Sequence, residues 1–421
     1  MAFIKKPVTG MKDILPKEMV LRDYVTGVIK DTYRRFGFTP METPCVESIE
    51  NLTGKQGGEN EKLIFKILKR GDKLRLSEAK EENDLADGGL RYDLTLPLAR
   101  YYSAHEAELP TPFKALQMGP VWRADRPQKG RFRQFVQCDI DILGEPGNLA
   151  EIELIIATTT ALSKVGFSGF TVRINDRRIL KSMALYAGFD EDKIMDVFIA
   201  LDKMDKIGME GVKEELLSMG FNEETIDRYT GLFSGLNGSL KDVFSFMRGD
   251  KSEAFEGDAV DNLEEIILSV SDTGETDFNV VFDPTLVRGM GYYTGTIFEI
   301  GVEGFPGSVA GGGRYDKMVG NFTGKDTPAC GFSIGFERII TILLEEDYQI
   351  PGDGDKIAFL VEKGITGEGL KKIMDEASVL RKEGNRVLVV RMNKNKKFQK
   401  ENLTKEGYTE FKDFYKEPLK H

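Results

Sequence analysis

Between Arg123 and Gly144 the chain reads RADRPQKGRFRQFVQCDIDILG, so that Arg123, Arg126, Lys129, Arg131 and Arg133 crowd one short loop and Asp139 and Asp141 follow it. A fork of guanidinium groups matches the geometry of phosphate oxygens, and carboxylates on an adjoining strand suit a cationic or N–H-donating small molecule. Taken alone, the run is also compatible with a solvated basic loop. His105 and His421 are the only histidines, and Cys45, Cys138 and Cys330 are widely spaced and odd in number. That inventory argues against a histidine-based dyad, a zinc site or a disulfide framework. No helix-flanked GxGxxG or GxxxxGK[ST] occurs, so a nucleotide would have to bind on a sheet and not in a glycine loop.

The elements that must position these residues are legible in outline. Residues 17–36 place Leu21, Tyr24, Val25, Val28, Ile29, Tyr33 and Phe36 on one helical stripe that stops at Gly37. FTPMETPCVESIE carries Pro40 and Pro44, which fits an edge strand; a symmetric partner chain is one way to cover it. Strand-like runs follow at 62–68, 89–96, 113–119, 132–143 and 170–174, and their density with few crossover helices predicts an antiparallel sheet. A helix-patterned stretch spans 176–272. Strands resume at 278–283, 292–302 and 307–313, and CGFSIG runs into the helical FERIITILLEE. After Pro351 the order β-α-β-α predicts a small α/β domain.

At 421 residues, with 40% hydrophobic and 30% charged residues, the chain can hold several cores. It has no apolar run of membrane-spanning length, and its N-terminus reads as neither a secretory nor a transit signal, so a cytoplasmic location is expected. The overall charge of −11 disfavours indiscriminate nucleic-acid binding, but residues 355–421 carry a net +5. A local basic patch can attract phosphates although the remainder repels them, and it can equally be a soluble lysine-rich surface.

Three long segments in order carry a family resemblance. RPQKGRFRQF resembles motif 2 of the class II aminoacyl-tRNA synthetases in the form found in histidyl-tRNA synthetases, LVRGMGYYTGTIFE (286–299) resembles the loop peculiar to the histidine enzymes, and AGGGRYDKMVG with PACGFSIGFERI resembles their glycine-rich strand and motif 3. The likeness runs from about Gly10 to Leu344. It implies an α+β fold: an antiparallel-sheet catalytic domain in two parts (1–175 and 273–348), a helical insertion (176–272) and a short anticodon-binding-like α/β domain (355–421). The implied activity is ATP-dependent activation of L-histidine to histidyl-adenylate and its transfer to tRNA(His), by a homodimer. Magnesium is expected to accompany ATP, with no tightly held protein-ligated metal and no metal ligands named.

By the same resemblance Arg123 and Arg288 are the catalytic candidates at the α-phosphate, where negative charge builds as the amino-acid carboxylate attacks. Arg131, Phe135 and Arg338 match positions around ATP, Arg338 at the far end of the triphosphate and Phe135 as a stacking face. Asp93, Thr95, Gln137, Asp141, Tyr292, Tyr293 and Tyr315 match the histidine pocket, with Arg123 and Arg288 also bordering it. Gln137 and Asp141 sit four apart on a predicted strand and so share a face, whereas alternation lets only one of the two adjacent tyrosines, Tyr293, point inward. Three departures stand out. Gly291 replaces a commonly acidic residue, Asp93 and Asp141 stand where many bacterial members carry Glu, a variant seen in the eukaryotic pattern, and the C-terminal domain lacks about one strand of the family fold.

A catalytically silent histidine-binding regulatory paralogue of ATP phosphoribosyltransferase is the alternative reading, and a domain that senses uncharged tRNA is a third. The paralogue would tend to lose the phosphate-gripping arginines and the basic tail, and the sensor would usually adjoin an effector domain. Arg123, Arg288, Arg338 and the tail are all present here.

Overall fold

The computed structural model describes residues 3–53, 58–127, 131–249, 251–271, 273, 278–288, 291–305, 307–351 and 355–416; Lys129 and His421 lie outside them. The chain divides into two compact units, Met1–Asp13 with Val25–Glu346, and Ile14–Tyr24 with Asp347–His421.

In chain order the elements begin with α1 (Pro16–Arg35), which is divided between the two units after Tyr24, and the large unit continues with β1 (Thr39–Pro40), β2 (Val46–Ser48), α2 (Ile49–Leu52), β3 (Lys66–Leu68), β4 (Ala86–Leu90) and α3 (Thr95–His105). The strand pair β5 (Phe113–Trp122) and β6 (Gln134–Leu143) follows, then α4 (Leu149–Val165) and β7 (Phe170–Asp176). Next comes an all-helical stretch: α5 (Arg177–Ala187), α6 (Ile194–Leu201), α7 (Met204–Ser218), α8 (Glu223–Leu232), α9 (Leu240–Arg248) and α10 (Gly257–Ser271). The unit closes with β8 (Phe278–Phe282), β9 (Thr296–Gly301), β10 (Ser308–Arg314), α11 (Asp316–Thr323), β11 (Ala329–Gly335) and α12 (Phe336–Glu345).

Eight of these strands form one sheet in the order β1-β5-β6-β11-β10-β9-β7-β8, so segments far apart in sequence lie side by side at its centre. The six central strands are antiparallel, as the strand density predicts, but both edges are not: β1 runs parallel to β5, and β8 parallel to β7. The insertion explains the second edge, because a parallel neighbour needs a long crossover and the helices α5 to α10 supply it. At the other edge the proline-bearing strand is only Thr39–Pro40, short enough to leave little unpaired backbone. α4 fully buries Leu154, Ile155, Ala157 and Leu162, and it packs against β11 and β6. The site forms on the remaining ground of these strands.

Several strand expectations are corrected. In 62–68 only Lys66–Leu68 is extended, in a separate small sheet ordered β2-β4-β3, and in 89–96 the strand ends at Leu90 while α3 starts at Thr95. The alternation of RYDLTL mimics a strand, but Asp93 accepts a hydrogen bond from the Leu96 amide at 3.1 Å, a local bond that favours the start of a helix over a ladder. In 292–302 the strand starts only at Thr296, which leaves Tyr292 and Tyr293 before it and free of its alternation.

In the smaller unit β12 (Lys356–Val361), α13 (Gly367–Lys382), β13 (Arg386–Arg391), α14 (Lys396–Lys405) and β14 (Glu410–Phe414) form a parallel sheet in the order β13-β12-β14. The β-α-β-α reading therefore extends by one strand, β14, whose EFKDF alternates too briefly and with too much charge to declare itself. Phe359 is fully buried between the layers, with the Phe414 ring 4.9 Å away.

Candidate active site

β6 carries Gln137, Asp139 and Asp141 at every second position, so all three project from one face of the sheet. Directly across on β11 stand Gly335, Ser333 and Gly331 respectively. The glycines are a spatial requirement: a Cβ on Gly331 would run into the Asp141 carboxylate and lie 3.2 Å from the Tyr315 ring, and one on Gly312 would strike the Gly331 carbonyl. The strands thereby form the floor of a cavity of about 370 Å³. Asp93, Thr95, Arg123, Arg131, Phe135, Gln137, Asp141, Arg288, Tyr292, Tyr293, Tyr315 and Arg338, the site residues that the family resemblance implies, line this one cavity.

One end is rich in buried hydrogen-bond acceptors. Asp93, Asp139 and Asp141 are each no more than 3% exposed. The Tyr315 hydroxyl donates to Asp141 Oδ1 at 2.5 Å, while Asp141 Oδ2, Asp93 Oδ2 and the Gln137 amide oxygen are buried with no hydrogen-bond partner among the described residues. Orphaned acceptors of this kind are costly unless a ligand supplies N–H donors. Burial drives the carboxyls toward their neutral form: Asp141 is pushed up to about 7, Asp93 is raised although Arg123 opposes the rise, and Asp139 is raised further with Asp141 adding to the effect of burial. A ligand that brings positive charge relieves this penalty. The rings of Tyr292 and Tyr293 stand 4.7 Å apart, and Tyr292 meets Tyr315 edge-on at 6.0 Å, so both adjacent tyrosines border the cavity and not Tyr293 alone.

The other end is cationic. Arg123 follows β5; its Nε donates to the Tyr92 carbonyl at 2.8 Å, and its guanidinium lies 5.2 Å from the Phe135 ring centre. Arg131 is paired with Asp125 at 3.0 Å, and Arg338, at the start of α12, donates to the Ser308 carbonyl. Arg288 occupies the left-handed region at φ 62°, an uncommon backbone for a non-glycine residue, and its Nη1 donates to Glu299 at 2.8 Å. Burial alone would lower the Arg288 pKa, but Tyr293 and Glu299 more than offset it and raise the value. Arg338 is lowered, chiefly by burial, with Arg288 and Arg131 pushing the same way against Glu299. That mutual repulsion is the electrostatic mark of guanidiniums gathered around space left for an anion. Gly311 makes the room, since a Cβ there would overlap the Arg288 guanidinium.

Sequence reasoning noted Asp139 beside Asp141 but gave it no place in the pocket, and it left out Ser333, Asp125, Glu299 and the two glycines Gly311 and Gly331. Asp139 has the same strand parity as Gln137 and Asp141, a signal that could have found it. The others are fixed by cross-strand register. Among the described residues no group of three or more His, Cys, Asp or Glu side chains is placed to hold a metal ion.

Residues 10–339 fit the family model described as histidyl-tRNA synthetase. A histidine-tRNA ligase of Leifsonia xyli subsp. xyli (strain CTCB07) is 41% identical, the alignment covering 96% of this chain and 94% of that protein. The crystal structure of histidyl-tRNA synthetase from Nostoc sp. PCC 7120 superposes with a TM-score of 0.78 at 28% identity, over 96% of this chain and 90% of that one. A Bacillus halodurans C structure described as an ATP phosphoribosyltransferase regulatory subunit/histidyl-tRNA synthetase superposes with a TM-score of 0.77 at 20% identity, over 98% and 99% of the two chains, a likeness of fold alone. The chain belongs to the histidyl-tRNA synthetase family.

Proposed function

We propose that this protein is an ATP-dependent histidine-tRNA ligase and that its reaction takes place in the cavity between β6, β10 and β11. The observation that carries the reading is the polarity of that single cavity, with unpaired buried acceptors at one end and clustered guanidiniums at the other. Asp141 receives an imidazole N–H while Tyr315 holds its other oxygen. Asp93, Thr95 and the Gln137 amide oxygen receive the α-ammonium group. A pocket built from such buried polar partners rejects an isostere lacking the N–H by about 10⁴ to 10⁵.

The histidine carboxylate then attacks the α-phosphorus of ATP. A bond forms from the carboxylate oxygen to phosphorus, the bridging bond to the β-phosphate breaks, and pyrophosphate leaves with its electron pair. Arg123 and Arg288 face the accumulating charge, and Arg131 and Arg338 the remaining phosphates. Phe135 offers its ring to adenine beside the Arg123 guanidinium. ATP enters as its magnesium complex, the ion held by phosphate oxygens. In the second half-reaction a terminal ribose hydroxyl of tRNA(His) attacks the activated carbonyl, the bond from that carbonyl to the phosphate oxygen breaks, the hydroxyl proton passes to a phosphate oxygen, and AMP departs as the ester forms.

The smaller unit, with its net positive charge between 355 and 421, is the candidate tRNA-binding element, and the protein acts as a cytoplasmic homodimer. No helix among the described residues is long and apolar enough to cross a membrane. Histidine-dependent exchange of labelled pyrophosphate into ATP tests the catalytic assignment. The intact protein is expected to catalyse exchange and Arg288→Ala to lose about two to three orders of magnitude, the usual effect of deleting one transition-state donor. Absence of exchange in the intact protein would favour the silent regulatory reading, which the fold by itself does not distinguish.

A further inference from the structure

The segment that leads from β7 into the helical insertion, Asn175-Asp176-Arg177-Arg178, grips both ends of the loop that carries Arg288, Tyr292 and Tyr293. Asn175 is fully buried and its Nδ2 donates to the Leu286 carbonyl at 2.9 Å. Arg177, 6% exposed, donates from Nη1 to the carbonyls of Val287 and Arg288 at 3.4 and 3.3 Å. Three successive carbonyls leading into Arg288 are thus held by two side chains. At the far end of the loop the Arg177 amide donates to the Gly295 carbonyl at 3.0 Å, and the Thr296 hydroxyl donates to Asp176 at 3.2 Å. Asp176 also caps α5 through the Arg178 amide and pairs with the Arg178 guanidinium at 2.8 Å, so the grip itself is braced.

Arg177 faces the insertion as well. Its guanidinium lies 4.7 Å from the Phe198 ring on α6, and its Nη2 is 3.5 Å from the Met195 sulfur. A guanidinium so buried, its pKa pushed down to about 10 by desolvation, is costly to maintain for packing alone. Among the described residues the backbone it holds is the one non-glycine site of positive φ in the cavity wall, a conformation that persists only where its surroundings impose it.

We propose that Arg177, with Asn175, is a positioning residue of the adenylation reaction: it fixes the Arg288 guanidinium at the phosphate end and makes helix α6 of the insertion part of that support. The inference rests on the function proposed above. Neither residue lines the cavity, so their effect passes through the loop they hold, and three of their contacts fall on the carbonyls that lead into Arg288.

A double-mutant cycle in histidine-dependent pyrophosphate exchange, with the full chain, decides the matter. Arg177→Met keeps the length and apolar stem of the side chain and removes its donors. In the otherwise native protein it is expected to lower kcat roughly 10- to 100-fold, the scale of a misplacement of about 1 Å at the reacting centre. Combined with Arg288→Ala it is expected to cost less than about 3-fold further, because coupled residues are non-additive. Equal fold-losses in both backgrounds, or native exchange in Arg177→Met, would overturn the proposal. Should Arg177→Met fail to fold, Asn175→Ala in the same cycle gives the same decision from the Leu286 contact. A native protein with no exchange would instead defeat the functional reading on which the inference stands.

Discussion

Replacing Gly331 by alanine adds one methyl group at the point where the account is most exposed to error. The new Cβ would overlap Asp141 Oδ1 and stand 3.0 Å from its Cγ and 3.2 Å from Tyr315 Cε1. The nearest obstruction is the end of a side chain, so the carboxylate can turn aside and the fold survives, with an overpacking cost of about 1–3 kcal/mol. The site has no such freedom. A turned Asp141 gives up the 2.5 Å bond from Tyr315 and its aim at the imidazole, and a hydrogen bond to a charged group is worth about 1.5–3 kcal/mol. That range corresponds to a fall of roughly 10- to 150-fold in kcat/KM for histidine. The guanidinium end of the cavity is untouched by the substitution, so the KM for ATP is expected to stay within about 3-fold. Pyrophosphate exchange titrated separately with each substrate reads both values. Unchanged histidine kinetics, or equal damage to both substrates, would show that Asp141 is not where the imidazole binds.

Two further outcomes follow from the charges. Asp141 is raised from 3.8 to about 7 in the folded protein, so between those pH values the native state holds a proton that the unfolded chain has released, and unfolding free energy falls as pH rises through that window and levels off above it. Asp141→Asn without substrates is therefore expected to show a smaller drop in Tm between pH 4.5 and 7.5 than the native protein; an equal drop would mean that this carboxyl ionises normally. On the smaller unit Lys394, just before the Asn395 cap of α14, and Lys397, in its first turn, are exposed. Changing both to Glu is expected to raise the KM for tRNA and flatten its salt dependence while sparing exchange, and charging kinetics indifferent to the change would remove this face from the tRNA-binding surface.

The sheet and the helical insertion were legible because their signals are local. The stripe of α1, the alternation of FVQCDIDIL and the glycine-broken helices from α5 to α10 each declare an element within a dozen or so residues. Local alternation also misled: RYDLTL reads as a strand, yet Asp93 turns back on the Leu96 amide and the chain enters a helix whose early proline, Pro97, donates no hydrogen bond. Tyr292 and Tyr293 were assigned opposite directions because a strand was expected there, and the strand begins three residues later. The side chains that line the cavity came from matching long motifs. The partners that hold them did not, since Glu299 beside Arg288, Ser333 opposite Asp139 and Gly331 under Asp141 are brought in by the pairing of distant strands. The Asn175 and Arg177 contacts cross 110 or more positions in sequence and leave no periodic trace at all.

A crystal structure with an unreactive sulfamoyl analogue of histidyl-adenylate tests the central claim most directly. The account predicts the imidazole against Asp141, the ammonium group at Asp93 and Gln137, and the sulfamoyl group in place of the α-phosphate within hydrogen-bond reach of both Arg123 and Arg288. An analogue bound elsewhere, or bound here with those two guanidiniums still turned to Tyr92 and Glu299 and away from the sulfamoyl oxygens, would contradict it.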